Sequence, residues 1–327
     1  IFLMRHDTDE FNRWEASQKF MTRLMLQEIR KVKKAPSTEA LKTSIRASIR
    51  ELAVAFQQIL STDSLDKAIV AQMLSLPSES FLAEQLETVD AAAIHTVRET
   101  AKGVLAEILR ETLLDVYHQN QARGPFSVDA KTVGQRSLKN MALGYLTALD
   151  DDATLQLCQE QYARASNMTD EMQALTFLAN RDYPGRQQAL DAFSEKWQDD
   201  PLVMNIWFGI AAASRLTDIN QIETLLTHPR FDINNPNKIR ALIGTFCSVN
   251  HIQFHAEDGS GYRFLADQIV RLNTVNPQIA SRLLTPLTRW RKFDNRRQSL
   301  MKAGIKRILK ISDLSRDVYE IAHKSLK

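Results

Sequence analysis

The feature that most constrains this chain is a repeated local unit: a polar capping residue, then an amphipathic run with apolar residues three and four apart, then a break. Paired, these units recur at roughly the period of HEAT, armadillo or tetratricopeptide repeats. A helix with one apolar stripe is stable only when another helix covers that stripe. Residues 11–29 form one such run, interrupted at Pro36, and TEALKTSIRASIRELAVAFQQIL from Thr38 forms the next. STDSLDKAIVAQML follows, with Asp63 or Ser64 as its expected cap, and Pro77-Ser78-Glu79 opens a further helix. Residues 90–117 predict one long helix, or two with a break near Gly103.

The second half keeps the rhythm. Ser127 or Asp129, then Asp150-Asp151-Asp152, Thr169-Asp170-Glu171, Tyr183-Pro184-Gly185, Pro201 and Asp218 each precede an apolar-periodic run. With only 10 Gly and 9 Pro in 327 residues, helices are favoured over many tight-turned strands. The units share no consensus, and the tetratricopeptide spacing of Trp, Gly and Tyr is absent. The expected fold is all-α: a degenerate superhelical armadillo/HEAT-like array of antiparallel helix pairs. It is read as one domain over residues 1–327, with a possible subdomain break in the loop at residues 121–130.

Several function classes are disfavoured. The net charge is only +3, and the basic residues are scattered along helices, so nucleic acid is not an expected partner. Two cysteines, Cys158 and Cys247, make neither a disulfide framework nor a four-ligand metal set, and a reducing cytoplasm is the simplest compartment. No apolar run is long enough to suggest a membrane span. The apolar opening Ile1-Phe2-Leu3-Met4 reads as the continuation of a strand or linker from an upstream domain.

The stretch from Asn234 to Trp290 carries the candidate site. Asn235-Pro236 and Asn276-Pro277 each start a helix, because Asn accepts from a free first-turn amide and Pro at the next position has none to leave unpaired. Asn237, Arg240, Gln278 and Arg282 then fall in the first two turns, where amide and guanidinium groups could converge at one helix-end surface; from the residues alone, a solvated or salt-bridged surface is the preferred reading of Arg240 and Arg282. Between the two helices, Gly259 and Gly261 flank Ser260 in a tight polar turn. His251 and His255 have the ligand spacing of HExxH, but Ile252 stands where a catalytic Glu is needed, so a polar connecting segment is the preferred reading. The acidic pairs Asp151-Asp152 and Glu257-Asp258 are read as meeting unpaired helix-start amides. Trp14, Trp197, Trp207 and Trp290 are read as core or interface residues. No catalytic residue or metal ligand is assigned.

The block HAEDGSGY, followed by LN..NPQ.ASRL and then by Arg289, Lys292, Asp294, Arg297 and Gln298, resembles the extreme C-terminal region of the bacterial aminopeptidase N family, the gluzincin zinc aminopeptidases. The likeness runs from Phe11, Trp14, Glu15, Ala16 and Gln18 to Tyr319 and Leu326. It implies a helical cap over a catalytic domain that releases N-terminal amino acids from peptides. It further implies that Arg240, Gln278, Arg282 and, more weakly, Asn237 face the peptide's prime side. The partners it implies are the preceding catalytic and beta domains of the same polypeptide, together with peptide substrates. In that family two His and one Glu hold zinc, a Glu is the general base and a Tyr supports the tetrahedral intermediate. HExxH, the downstream Glu and the GAMEN motif are absent from this chain, so zinc is expected in the parent's catalytic domain and none here. The alternative is a stand-alone helical-repeat module that binds a protein or peptide.

Overall fold

Side-chain caps decide where the helices begin. In the computed structural model, which describes residues 1–32, 35, 37–121 and 124–327, Ser37 accepts from the Ala40 amide and starts Thr38–Leu60. Ser78, Asp129, Asp151, Asp200 and Asp218 do the same for Glu79–Glu84, Ala130–Leu146, Asp152–Arg164, Pro201–Ala213 and Ile219–Leu225. Asp218 does so as a full capping box with Gln221. Among the described residues there is no strand, only an isolated bridge between Val89 and Phe293. The chain divides into two compact units: Ile1–Gln85 with Ala92–Leu178, and Leu86–Ala91 with Ala179–Lys327. The loop at residues 121–130 lies inside the first unit, and its Ala122 and Arg123 are outside the described residues, as is the Pro36 break.

In the first unit, Thr38–Leu60 buries Leu41, Ile45, Ile49, Leu52, Phe56 and Ile59, the stripe its spacing predicts. Ser17 on Glu10–Val32 donates to the Met73 carbonyl at 2.5 Å, and the Tyr145 hydroxyl donates to the Leu74 carbonyl at 2.6 Å. Both bonds grip the C-terminal end of Lys67–Leu74. At its other end, Ala130–Leu146 comes so close that a Cβ on Gly134 would lie 3.2 Å from the Ala68 nitrogen.

Four local expectations are corrected. Phe2-Leu3-Met4 is not a strand: Phe2–His6 is a helix, held because Met4 is fully buried and Arg13 Nε donates to the Met4 carbonyl at 3.0 Å. The cap of Lys67–Leu74 is Asp66, not Asp63 or Ser64, since a turn closed by Leu65 N to Thr62 O comes first. The break within residues 90–117 falls at Leu109, between Ala91–Ile108 and Arg110–Gln119, and Gly103 remains helical. Thr169-Asp170-Glu171 lies inside Met168–Ala179, where the Asn167 side chain accepts from the Asp170 amide instead.

The second unit continues through Arg186–Trp197, Pro201–Ala213 and Ile219–Leu225 to a run of short helices from Pro236 onward. Asn250 is its central clamp. Buried to 2% exposure, its Nδ2 faces the carbonyls of Ala212, Ser214 and Thr217 at 3.1, 2.7 and 3.3 Å, so it ties off the end of Pro201–Ala213.

Candidate functional site

Both Asn-Pro starts form as the sequence predicts. The Asn235 side chain accepts from the Asn237 amide at 2.9 Å and opens Pro236–Ile239, and Asn276 accepts from the Ile279 amide at 3.1 Å and opens Pro277–Leu283. The caps therefore use first-turn amides that a ligand would otherwise have met, and the polar side chains are left to make any site.

Pro236–Ile239 does not end in the usual way. It widens into a π-helical turn over Arg240–Gly244 and then resumes as Thr245–Val249, with the Thr245 amide bonding back to the Arg240 carbonyl. Such a one-residue widening shifts side chains around the helix axis and is frequent at functional sites. Lys238, just before it, is buried, donates to the Pro201 carbonyl at 3.2 Å and stands over the Phe208 ring at 5.3 Å. Burial lowers the Lys238 pKa, opposed by the nearby Asp200 carboxylate.

On this base Asn237 and Arg240 are exposed and joined, Arg240 Nη1 donating to Asn237 Oδ1 at 2.9 Å. Gln278 and Arg282, four apart on Pro277–Leu283, are also exposed. The two helices meet at Gly244: the position its Cβ would occupy is 3.9 Å from both Arg240 Cβ and Leu283 Cδ2. Arg240 and the buried Leu283 thus flank Gly244, which sets the first turn of one helix against the end of the other. No hydrogen bond links Asn237 or Arg240 with Gln278 or Arg282 among the described residues. The Arg282 and Gln278 side chains have no polar partner there either. The acidic neighbour that would make Arg282 a mere surface ion pair is therefore missing among those residues.

The HAEDGSGY block has a different use. Gly259 takes φ +71°, and a Cβ on Gly261 would sit 2.3 Å from the Phe254 carbonyl oxygen, so the chain closes tightly enough to set His255 against Tyr262. His255 Nδ1 is 2.8 Å from the Tyr262 hydroxyl, the imidazole stacks on Phe293 at 4.5 Å, and Arg297 Nε donates to the His255 carbonyl at 3.1 Å. Burial first, then the charges of His251 and Arg297, push the His255 pKa down to about 3. Arg297 also pairs with Asp294, the cap of Asn295–Leu309, at 2.9 Å, and Gln298 donates to the Phe293 carbonyl at 2.8 Å. Lys292 donates to the Leu86 carbonyl at 2.9 Å. Sequence reasoning did not foresee this lock, nor the Asn250 clamp; the stacked aromatic and histidine residues around two glycines were the available signal. One member of each acidic pair meets a helix-start amide, Asp151 that of Thr154 and Asp258 that of Ser260, while Glu257 pairs with Arg296 at 3.9 Å. Among the tryptophans, Trp207 is core and donates to the Leu190 carbonyl at 2.8 Å.

Among the described residues no group of three His, Cys, Asp or Glu side chains could hold a metal ion, and His255 already directs Nδ1 at Tyr262. Also among the described residues, no helix is long and apolar enough to cross a membrane.

The fold is an all-α array of ARM-type repeats. The chain belongs to the family described as a domain of unknown function (DUF3458_C) with ARM repeats, which matches residues 1–327. It is 35% identical to aminopeptidase N of Escherichia coli over 326 residues, 99% of this chain and 36% of that protein. Its identity to aminopeptidase N of Haemophilus influenzae is 35% over 329 residues, with the same two coverages. The crystal structure of Legionella pneumophila aminopeptidase A in complex with aspartic acid is similar with a TM-score of 0.86 and 29% identity, over 99% of this chain and 38% of that one. The chain thus spans 36% of the length of the curated relatives it matches.

Proposed function

We propose that this chain is the cap domain of a zinc-dependent aminopeptidase of the aminopeptidase N type, one that releases N-terminal amino acids from peptides. The carrying observation is a match that covers 99% of this chain but only 36% of aminopeptidase N, with no metal donor set among the described residues. Zinc and the bond-breaking groups belong to the preceding catalytic domain of the same cytoplasmic polypeptide, which with its beta domain is this chain's partner. The cap closes the catalytic cavity. Arg240, Gln278, Arg282 and, more weakly, Asn237 hold the prime side of the peptide. Arg offers two parallel donors to a carboxylate or carbonyl, and the Gln amide both donates and accepts. Binding remote from the scissile bond then orients the reacting end.

The test compares the full polypeptide that carries this chain with the 327-residue chain alone on an aminoacyl arylamide. Chelator-sensitive hydrolysis by the former and none by the latter is the expected outcome. Zinc-dependent hydrolysis by the isolated chain would overturn the assignment.

A further inference from the structure

The first unit contains a second polar site, unrelated to the surface described above. Arg136, Lys139 and Asn140 on Ala130–Leu146 are spaced three and four apart and so share one helix face. All three are buried. Lys139 Nζ is 2.7 Å from Asp170 Oδ2, Asn140 Nδ2 donates to Oδ1 at 2.9 Å, and Asn167 Nδ2 donates to Oδ2 at 3.0 Å. Asp170 is therefore fully engaged by groups other than Arg136.

Arg136 is only 8% exposed, yet among the described residues no carboxylate or hydrogen-bond acceptor reaches its guanidinium. Its one contact of note is the Phe126 ring, 5.0 Å away, and that ring is itself largely exposed. The side chain as a whole is packed in, while its guanidinium nitrogens keep access to the adjoining space and have no counter-charge, so an anion there would meet a fixed, uncommitted fork of donors. Arg136 lines a pocket of about 490 Å³, a size suited to a small molecule. Lys131 and Gln135, four apart, line it too, and neither side chain has a polar partner among the described residues. The one acid among the described lining residues, Asp129, is engaged as the helix cap by Ser127 and by the Thr132 amide and hydroxyl.

We propose that this pocket binds a small dicarboxylate, one carboxylate forked by Arg136 beneath Phe126 and the other met by Lys131 and Gln135. A planar fork suits a carboxylate, and the separate ammonium suits a second negative group a few carbons away.

Isothermal titration of the 327-residue chain at low salt, with glutarate, its neutral analogue glutaramide and inorganic phosphate, tests this. The expected result is one saturable glutarate site per chain, no glutaramide binding and weaker phosphate binding. Arg136→Gln should weaken glutarate at least tenfold, and Lys131→Ala, at an exposed position, at least threefold with a shallower salt dependence. No saturable glutarate binding, equal binding of glutaramide, or tighter binding of phosphate overturns the proposal. If circular dichroism shows that Arg136→Gln is unfolded, Lys131→Ala and Arg136→Lys decide: wild-type affinity in both would overturn it, and loss in both would support it.

Discussion

Replacing Arg282 by Ala separates a ligand-facing role from a structural one, because the structure assigns this side chain no structural task. It is exposed and has no hydrogen bond or ion pair among the described residues, so its truncation should change folding stability by less than about 0.5 kcal/mol. Its melting temperature should therefore move by no more than about 2 °C. A charge-assisted hydrogen bond to a peptide oxygen is worth about 1.5–3 kcal/mol. Solvent at the exposed site favours the lower end of that range, which corresponds to roughly a tenfold loss in kcat/KM. The assay is steady-state kinetics of the full polypeptide on a tripeptide and on an aminoacyl arylamide, with thermal unfolding of the same Arg282→Ala protein. The tripeptide should lose about tenfold, and the arylamide, with little on its prime side, less than about twofold. Equal losses on both substrates together with a lower melting temperature would refute the reasoning.

Two further outcomes follow from the lock. The folded state keeps His255 neutral down to about pH 3, whereas the unfolded chain takes up its proton near 6.5. The resulting stability is present above pH 6.5 and is lost as pH falls toward 3, by about 2 kcal/mol between pH 7.5 and pH 5. Urea unfolding at those two pH values should show this drop in the wild type and a clearly smaller one in His255→Gln. Gly261→Ala places a methyl group 2.3 Å from the Phe254 carbonyl oxygen, which something must move to admit, and should cost about 3 kcal/mol or more. A melting temperature unchanged in that variant would contradict the close approach.

Local chemistry made part of the fold legible in the sequence. Ser78, Asp218, Asn235 and Asn276 could be read as helix openers because each immediately precedes an apolar-periodic run, and a cap needs only its own backbone. STDSLD, in contrast, holds several competent caps within a few residues. The choice of Asp66 depends on which register buries Val70, Met73 and Leu74 against neighbouring helices, a tertiary matter. Gly103 signalled a break by propensity, but burial of Ala101, Val104 and Leu105 around it holds the helix through to Leu109. The opening Ile1 to Met4 misled for a related reason: an apolar tetrad has no period of its own, and its helix is held by packing on the following helices Glu10–Val32 and Thr38–Leu60. For the candidate site, the positions of Arg240 and Arg282 relative to the caps were legible. The π-helical turn at Arg240–Gly244 was not, since nothing local in RALIG demands it.

The residues that make this sequence most distinctive are not those with chemistry left to offer. His255, Tyr262 and Arg297 are bonded to one another, and Arg297 is also paired with Asp294, so their donors and acceptors are already committed. Asn237, Arg240, Gln278 and Arg282 stand out less in sequence, yet they are exposed, and Gln278 and Arg282 keep donors unspent among the described residues. The two sets are connected through the chain. The lock joins the start of Ser260–Val275 to the start of Asn295–Leu309. Asn273, near the far end of Ser260–Val275, binds the Asp313 carbonyl and the Ser315 amide at 3.0 and 2.9 Å, just before Arg316–Leu326. Asn276 follows at once and opens the helix that carries Gln278 and Arg282. Because a backbone already ordered lowers the cost of binding, this double anchoring would favour the peptide contact proposed for Gln278 and Arg282.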